Sequence, residues 1–249
     1  MNTIISLKNV GKIFEQTQST VEALVDISFD VRENEFVSIL GPSGCGKSTL
    51  LKIISGLDSE YTGGVTVAGH DVREAAPSVC LMHQKDLLLP WRTVLDNVAL
   101  PLELKGVPKT EREQTALAYF EEFGLKGFEA MYPKQLSGGM RQRAALLRTF
   151  LDEGDVYLMD EPFAALDALT RFKMREWLLD VWQRHRKAVV FVTHDIEEAV
   201  FLSDRILVLS ERPATVAQAF EVNLPRPRSR DMLEDAAFLQ LRRAVQDAL

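Results

Sequence analysis

The sequence is short of cysteine and histidine, and it has no long apolar run. Two cysteines, Cys45 and Cys80, and four scattered histidines occur among 249 residues. Without a CxxC pattern, the cysteines predict neither a disulfide framework nor a zinc site, and we expect reduced thiols. No signal-peptide pattern opens the chain, and no run approaches the roughly 18 apolar residues of a transmembrane helix. We therefore expect that any membrane role comes through a partner.

Basic residues are outnumbered by acidic ones. The 29 lysines and arginines stand against 36 acidic residues, which gives a formal net charge of -7. A surface that wraps nucleic acid normally shows a basic excess, so we expect no nucleic-acid partner. A chain of this length can bury one sizeable α/β core, or a core plus a smaller lobe, without disulfides.

Two kinds of strand pattern are present. Near the N-terminus, Val25, Ile27, Phe29 and Val31 alternate with polar residues, which is typical of an antiparallel strand with one buried face. Elsewhere, short and continuously apolar runs are separated by helical patterns, which predicts a parallel sheet covered on both faces. These runs begin at Phe36, Val79, Val156, Ala188 and Ile206.

Helical signals interrupt this rhythm between Thr93 and Gln135. Thr110 with Glu113 forms a capping box that predicts a helix start, and Gly124 suits the left-handed position at a helix end. We therefore predict an inserted helical lobe. After a linker rich in proline and arginine at residues 225–230, apolar spacings of three and four predict a final packed helix.

The most informative motif is GPSGCGKST at residues 41–49, a complete G-x-x-x-x-G-K-[ST] pattern between a predicted strand and a predicted helix. Backbone N–H groups of such a turn, together with a helix N-terminus, attract phosphate. We expect Lys47 to reach the β- and γ-phosphates, Ser48 to bind Mg²⁺ and Thr49 to help hold the α/β-phosphate region. A glycine-rich turn without a ligand is the disfavoured alternative. The other predicted nucleotide contacts here are Gly41, Pro42, Ser43, Gly44, Cys45 and Gly46.

Two carboxylates follow the apolar run that begins at Val156. Asp160 and Glu161 lie where ligands of open α/β sheets collect, at the end of a buried strand. We predict Asp160 as a Mg²⁺ partner that acts through water, and Glu161 as the group that polarises an attacking water. Taken alone, such a run would by default indicate a surface carboxylate pair, and the phosphate loop is what favours a site.

Six landmarks in order resemble the nucleotide-binding subunits of ABC transporters over nearly the whole chain. They are the phosphate loop, Gln84, the signature LSGGM at residues 136–140, Asp160-Glu161, Ala165-Leu166-Asp167, and His194. The resemblance implies ATP and Mg²⁺ as cofactors and ATP hydrolysis as the activity. It also implies a head-to-tail dimer with a second ABC ATPase subunit, which sandwiches two ATP molecules.

The resemblance assigns roles to further residues. Gln84 would reach Mg²⁺ or the attacking water, and His194 would bind the γ-phosphate, so the implied catalytic residues are Glu161, His194 and Gln84. Phe14 stands where the family places an aromatic ring against adenine. The implied contacts to the partner's ATP are Ser137, Gly138 and Gly139, and Gln135 and Asp167 are further implied nucleotide contacts. The alternatives are a helix cap for Ser137, a surface amide for Gln84, a structural hydrogen bond for His194 and core packing for Phe14.

The implied fold class is α/β: a P-loop NTPase core with a parallel sheet, an antiparallel β subdomain and an inserted α-helical subdomain. We predict a single ABC ATPase domain over residues 1–249. The RecA-like core with its antiparallel β layer takes residues 1–87 and 151–224, the signature-bearing helical lobe residues 88–150, and the linker with the C-terminal helix residues 225–249.

The segment at residues 87–94, which contains Trp91, and the tail at residues 224–228 resemble those of importers of the nitrate, sulfonate and taurine type. That resemblance implies permease subunits docking near Gln84 to Arg92, a solute-binding protein as an indirect partner, and a peripheral location on the cytoplasmic face of the membrane. Alternatives are a soluble ABC ATPase without a transport role, and a nucleotide-binding module without turnover. Packing of these apolar residues inside the helical lobe is the other possibility for the segment.

Overall fold

A computed structural model describes residues 2–16, 19–164 and 166–249. Within these residues the chain forms ten strands and eight α-helices. The strands are β1 (Thr3–Gln16), β2 (Ser19–Arg32), β3 (Phe36–Leu40), β4 (Thr62–Val67), β5 (His70–Asp71), β6 (Val79–Met82), β7 (Val156–Asp160), β8 (Ala188–Val192), β9 (Arg205–Leu209) and β10 (Val216–Glu221). The helices are α1 (Lys47–Ile54), α2 (Val94–Val98), α3 (Leu100–Leu104), α4 (Lys109–Phe120), α5 (Gly138–Phe150), α6 (Ala168–His185), α7 (Ile196–Leu202) and α8 (Ala236–Asp247).

The smaller sheet is antiparallel, with the strand order β2-β1-β4-β5. The predicted alternation along β2 is confirmed for Ile27 and Val31, which are buried. It slips before Ile27, where Leu24 is buried and Val25 is only half-buried. Register shifts in the pairing with β1 and a left-handed backbone at Asp26, with φ 50°, account for this change of face.

The larger sheet has the order β10-β9-β3-β8-β7-β6. Strands β9, β3, β8, β7 and β6 pair in parallel, and β10 joins the edge in the antiparallel sense. All five predicted apolar runs are therefore confirmed as strands of one parallel sheet. Strand β8 lies between β3 and β7, and the three strands are parallel. The loops that follow β3, β7 and β8 are distant in sequence, but they therefore lie side by side at the C-terminal edge of the sheet.

Among the helices between β6 and β7, the predicted N-terminus of α4 differs from the observed one. The capping box at Thr110 is wrong, because α4 begins at Lys109 and Pro108 occupies the N-cap position without a side-chain hydrogen bond. Proline has no N–H to satisfy and its fixed φ favours a helix start. Gly124 does end the segment in a left-handed conformation, with φ 63°.

The core forms one hydrophobic cluster on each face of the larger sheet. Along β7, Tyr157 and Met159 join the cluster that includes α5, α6 and α8, whereas Val156 and Leu158 join the cluster with α1 and the smaller sheet. The predicted packing of the C-terminal helix is confirmed, because α8 buries two apolar side chains in the first cluster. The division at residues 88–150 stays a prediction. None of the helices described is both long and apolar enough for a membrane span.

Candidate active site

The phosphate loop leads from β3 into α1. Gly44 and Gly46 have φ values of 76° and 126°, which favour glycine. A Cβ on Gly46 would lie 2.7 Å from Leu24 Cδ2. The side chain of Cys45 is buried and its backbone N–H donates to Pro42 O at 3.2 Å, whereas the side chain of Ser43 is exposed. The loop therefore has a shape that side chains at its glycine positions would disturb.

Lys47 is the first residue of α1 and is almost fully buried. Its Nζ donates hydrogen bonds to the backbone oxygens of Gly41, at 2.7 Å, and of Pro42, at 2.9 Å. The ammonium is thus held inside the loop by carbonyl groups rather than by a carboxylate. Thr49 lies half-buried in the first turn of α1. Such an arrangement leaves the positive charge of Lys47 available to an incoming anion.

Ser48 and Asp160 bring two oxygen donors together beside the loop. Ser48 Oγ donates to Asp160 Oδ1 at 3.1 Å. Burial raises the pKa of Asp160, and the bond from Ser48 and the charge of Lys47 partly offset that rise. A hydroxyl and a carboxylate are ligands that Mg²⁺ accepts, and a buried carboxylate gains from a neighbouring cation.

Glu161 is the meeting point of the predicted catalytic residues. Its Oε2 accepts a hydrogen bond from Gln84 Nε2 at 3.4 Å and lies 3.1 Å from His194 Nδ1. The three residues follow β7, β6 and β8, which are neighbouring strands. Glu161 has a left-handed backbone with φ 45°, and its N–H donates to Val192 O at 2.9 Å. The strand order thus places a carboxylate, an amide and an imidazole within hydrogen-bond reach.

The signature residues lie at the N-terminal end of α5 and just before it, and several of their polar groups form local hydrogen bonds. Ser137 caps α5, with its Oγ accepting from Met140 N at 3.3 Å. Gln135, in a 3-10 turn, accepts from Tyr132 N at 2.8 Å. Within the described residues, no hydrogen bond joins residues 135–139 to the phosphate loop. The structure therefore gives Ser137 a capping role and leaves the signature apart from the chain's own phosphate site.

The two signature glycines differ in their surroundings. A Cβ on Gly139 would lie 2.9 Å from Thr170 Cγ2, so close packing of α5 against α6 requires a glycine there. A Cβ on Gly138 would lie 3.6 Å from Leu166 Cδ2, an ordinary contact distance. Helix packing therefore accounts for Gly139 and leaves Gly138 without a structural reason.

Asp167 and Phe14 are the two remaining predicted contacts. Asp167 caps α6 and accepts from Thr170 N at 3.0 Å, and hydrogen bonds from Thr170 lower the pKa of its carboxyl group. Phe14 on β1 is 39% exposed, so the alternative of core packing is wrong for this ring. Lys12 Nζ lies 5.0 Å from the ring centroid. Ala165, the other predicted loop residue here, lies outside the described residues.

Two arginines that the sequence analysis missed hold the loop after Gln84. Arg148 donates to the backbone oxygens of Leu87 and Asp86, both at 2.8 Å. Arg141 Nε lies 3.1 Å from Asp86 Oδ2. Both arginines are on α5, and their spacing of seven residues places them on one face of the helix. That spacing is the feature of the sequence from which a shared contact of the two arginines could have been predicted.

The apolar residues of this loop fall into two groups. Leu88 is buried, whereas Leu87 is 51% and Trp91 71% exposed. The side chain of Asn97 holds the loop by two hydrogen bonds to Leu89. Its Oδ1 accepts from Leu89 N at 2.6 Å, and its Nδ2 donates to Leu89 O at 3.1 Å. Packing inside the lobe therefore explains Leu88 and leaves Leu87 and Trp91 as a surface patch.

Comparison with known proteins identifies the family of this chain. The family model described as ABC transporter matches residues 24–164. An aliphatic sulfonates import ATP-binding protein of Bacillus cereus is 41% identical over 241 residues, which cover 97% of this chain and 94% of that protein. A taurine import ATP-binding protein of Rhizobium johnstonii is 46% identical over 207 residues, which cover 83% of this chain and 79% of that protein.

A solved structure agrees in fold. It is the dimeric structure of an ATP-binding cassette in a post-hydrolysis state bound to ADP and Pi, and it superposes with a TM-score of 0.78 at 32% identity, covering 89% of this chain and 100% of that chain. These similarities confirm the predicted resemblance and the ATPase activity. The chain belongs to the ABC transporter family and is one of its ATP-binding, ATP-hydrolysing subunits.

Proposed function

We propose that this chain powers an ABC importer, coupling ATP binding and hydrolysis in a head-to-tail dimer to uptake of a small nitrate-, sulfonate- or taurine-like solute. The observation that carries the hydrolytic part is the contact of Glu161 with both Gln84 and His194, beside Ser48 and Asp160. The similarity to sulfonate and taurine import proteins supports the transport part and the class of solute.

Magnesium fits the oxygen donors beside the phosphate loop. Ser48 Oγ and Asp160 Oδ1 lie 3.1 Å apart, and burial of Asp160 favours a cationic neighbour. Ser48 would bind the ion directly, Asp160 through water, and the amide oxygen of Gln84 would supply a further ligand. When bound, Mg²⁺ neutralises negative charge on the phosphates.

The chain's own residues account for binding and for positioning the water. Lys47 exchanges its carbonyl partners for phosphate oxygens, and backbone N–H groups within residues 43–49 hold the remaining charge. Glu161 orients and polarises a water for in-line attack on the γ-phosphate. His194 donates a hydrogen bond to the γ-phosphate, and Gln84 positions the same water. Phe14 offers a ring face to adenine.

A second subunit completes each site in this proposal. The N-terminus of α5, with Ser137 and Gly138, carries partial positive charge and suits a phosphate oxygen. The related cassette of known structure is dimeric. In the dimer, Gln135, Ser137, Gly138, Gly139 and Asp167 of one chain face the ATP held by the other.

Membrane subunits dock on the surface patch of Leu87 and Trp91. Exposed apolar residues at this position suit the apolar face of a helix from a partner. Arg141 and Arg148 connect the patch to α5, which begins at the signature. The subunit would therefore lie peripherally on the cytoplasmic face of the membrane, with a solute-binding protein as an indirect partner.

The hydrolytic proposal is tested by Glu161→Gln. We expect turnover to fall about 10²-fold or more, while ATP affinity is retained, because the amide keeps the shape but loses the basic oxygen. Size-exclusion chromatography with light scattering should show a dimer of this variant with Mg²⁺ and ATP. Glu111→Gln, on the exposed face of α4, is the matched control. Near-normal turnover in Glu161→Gln would remove Glu161 from its role.

Transport is tested by purification from membranes. An importer subunit should co-purify with a polytopic membrane protein, and its ATPase should respond to solute in the reconstituted assembly. A soluble ABC ATPase would instead remain active without any membrane component. Recovery of the chain in that form alone would contradict the transport proposal and leave the hydrolytic one intact.

A further inference from the structure

One arginine of α6 contacts the segment that follows His194. Arg175 is 5% exposed. Its guanidinium lies 2.8 Å from Asp195 Oδ2, 2.8 Å from Glu197 Oε1 and 3.4 Å from Glu198 Oε1. A single cation thus pairs with three carboxylates within four consecutive residues, which form the start of α7.

Hydrogen bonds from these carboxylates reach both sides of His194. Glu198 Oε2 accepts from Thr193 Oγ1 at 2.6 Å, and Thr193 Oγ1 accepts from Asp195 N at 3.1 Å. Asp195 Oδ1 in turn accepts from Glu198 N at 3.1 Å. The residues before and after His194 are therefore joined in one network, in which Arg175 is the cation with the shortest contacts.

His194 needs such support because packing does not hold it. Its side chain is 56% exposed, and the contact of its Nδ1 with Glu161 Oε2 is 3.1 Å. Where the imidazole points is then set by the backbone on either side, and that backbone is fixed by the carboxylates of Asp195 and Glu198.

Those carboxylates would repel one another without a cation. Burial raises the pKa of Glu198, and the charge of Arg175 opposes that rise. The planar guanidinium fork can serve several carboxylate oxygens at once, whereas the compact ammonium of a lysine cannot reproduce that geometry. Arg171, one turn earlier on α6, lies 3.8 Å from Asp195 Oδ2 and also donates to Leu166 O at 2.9 Å. The network thus extends to the residue before Asp167.

We propose that Arg175 is a positioning residue for ATP hydrolysis, which aligns His194 with Glu161 by binding the carboxylates of Asp195, Glu197 and Glu198. The inference rests on the proposed role of His194. It concerns a residue that does not itself contact ATP.

The test is a double-mutant cycle between Arg175→Gln and His194→Ala. In the wild-type background, Arg175→Gln should lower kcat about 10-fold and leave the KM for ATP within about 2-fold, because ATP binding does not use the network. In the His194→Ala background, Arg175→Gln should lower kcat by less than about 2-fold further, because both changes act through one contact. Arg175→Lys should restore only part of the loss.

Controls separate positioning from stability. Arg184→Gln lies on the same helix, where the exposed arginine pairs with Glu122, and it should leave kcat unchanged. The kcat of each variant is calculated per nucleotide-binding site, so that unfolded protein does not lower the measured value. If Arg175→Gln does not fold, Glu197→Gln carries the test, because Glu197 is partly exposed and its loss leaves two of the three pairs.

Two results would overturn the inference. One is an unchanged kcat for Arg175→Gln, and the other is an equal loss in the presence and absence of His194. Normal turnover by His194→Ala alone would instead refute the proposed role of His194, and the positioning inference would fail with it. A full effect of His194→Ala beside an inert Arg175→Gln would refute only the positioning inference.

Discussion

The charges inside the phosphate loop set its chemistry. Lys47 is buried against the carbonyl groups of Gly41 and Pro42, so its charge is shielded from water but not neutralised. Asp160 is half-buried within reach of the same charge. These two groups lie where a phosphate and a divalent cation would each relieve an unfavourable burial.

Replacing Lys47 with alanine should weaken ATP binding. Each charge-assisted hydrogen bond lost contributes about 1.5 to 3 kcal/mol, which corresponds to roughly 10- to 100-fold in Kd. Titration with a fluorescent ATP analogue measures the effect. Lys52→Ala, at an exposed position of the same helix, should bind normally. Equal affinities for wild type and Lys47→Ala would refute the assignment of the phosphate loop.

Asp160 should make the nucleotide-free chain less stable at neutral pH than an uncharged residue would. Burial raises the pKa of Asp160 in the folded chain, so the folded state holds this proton more tightly than the unfolded state. The contribution of Asp160 to stability is then favourable at low pH and is lost as the pH rises through the folded pKa. Asp160→Asn should raise the Tm at neutral pH while abolishing Mg²⁺-dependent hydrolysis. A lower Tm for Asp160→Asn would contradict this account.

The same shift predicts a pH dependence of hydrolysis. As the pH falls, Asp160 should protonate at a higher pH than an exposed aspartate, and Mg²⁺-dependent turnover should fall with it. A pH profile of kcat, recorded at several Mg²⁺ concentrations, would show the acidic limb moving to lower pH as Mg²⁺ increases.

The packing of α5 against α6 predicts different effects for substitutions at the two signature glycines. Gly139→Ala should lower the Tm because its Cβ meets Thr170 Cγ2, and Thr170→Ser should restore it by removing that methyl group.

Gly138→Ala should fold with an unchanged or higher Tm, because alanine favours a helix. Its turnover should nevertheless fall about 10-fold or more, since a displaced phosphate contact slows reaction. Normal turnover by Gly138→Ala would argue against a sandwiched ATP at this residue.

The segment predicted as a linker is anchored to α7 by an arginine. Arg228 is buried and its NH1 donates to the backbone oxygens of Val200, Phe201 and Ser203 at 3.1, 3.0 and 2.7 Å. Burial lowers the pKa of Arg228 to about 10, so it remains a cation at neutral pH. It therefore satisfies carbonyl groups at the C-terminal end of α7, and its positive charge interacts favourably with the negative end of the helix dipole.

Arg228→Met should remove these bonds and lower the free energy of unfolding by about 2 to 4 kcal/mol. For a chain of this size, each 1 kcal/mol corresponds to about 2 to 4 °C in Tm. Denaturant unfolding followed by circular dichroism gives the measurement. Arg243→Met, at an exposed position of α8, should change little. A loss below about 0.5 kcal/mol for Arg228→Met would refute the anchoring role.

Over the full chain, the strand order of the larger sheet joins the site to the surface patch of Leu87 and Trp91. Gln84 follows β6 and contacts Glu161, and the same loop continues to Trp91. A partner on the patch can therefore respond to the site through one short segment.

Trp91→Ala should reduce co-purification of the membrane partner and the solute-stimulated part of the ATPase activity, because it removes a large exposed apolar surface. Leu57→Ala, at a residue that is 67% exposed elsewhere on the chain, is the matched control. Full assembly of the Trp91→Ala subunit would place the docking surface elsewhere.

Sequence alone determined the phosphate loop, the strands of the parallel sheet and the family. Each of these is local, because a turn that binds phosphate or a strand buried on both faces restricts the residues that can occupy a short run of positions. Gly46 is a clear case, because its φ of 126° is set by the loop itself.

Tertiary structure alone decided the contacts between distant positions. Neither the meeting of Gln84, Glu161 and His194 nor the hold of Arg175 on α7 follows from spacing, because both depend on the placement of β8 and α6. The same holds for Leu88 and Trp91, which are alike in apolar character but are buried and exposed respectively. Long-range packing sets burial, ion pairing and the approach of helices, and those terms are absent from a single stretch of sequence.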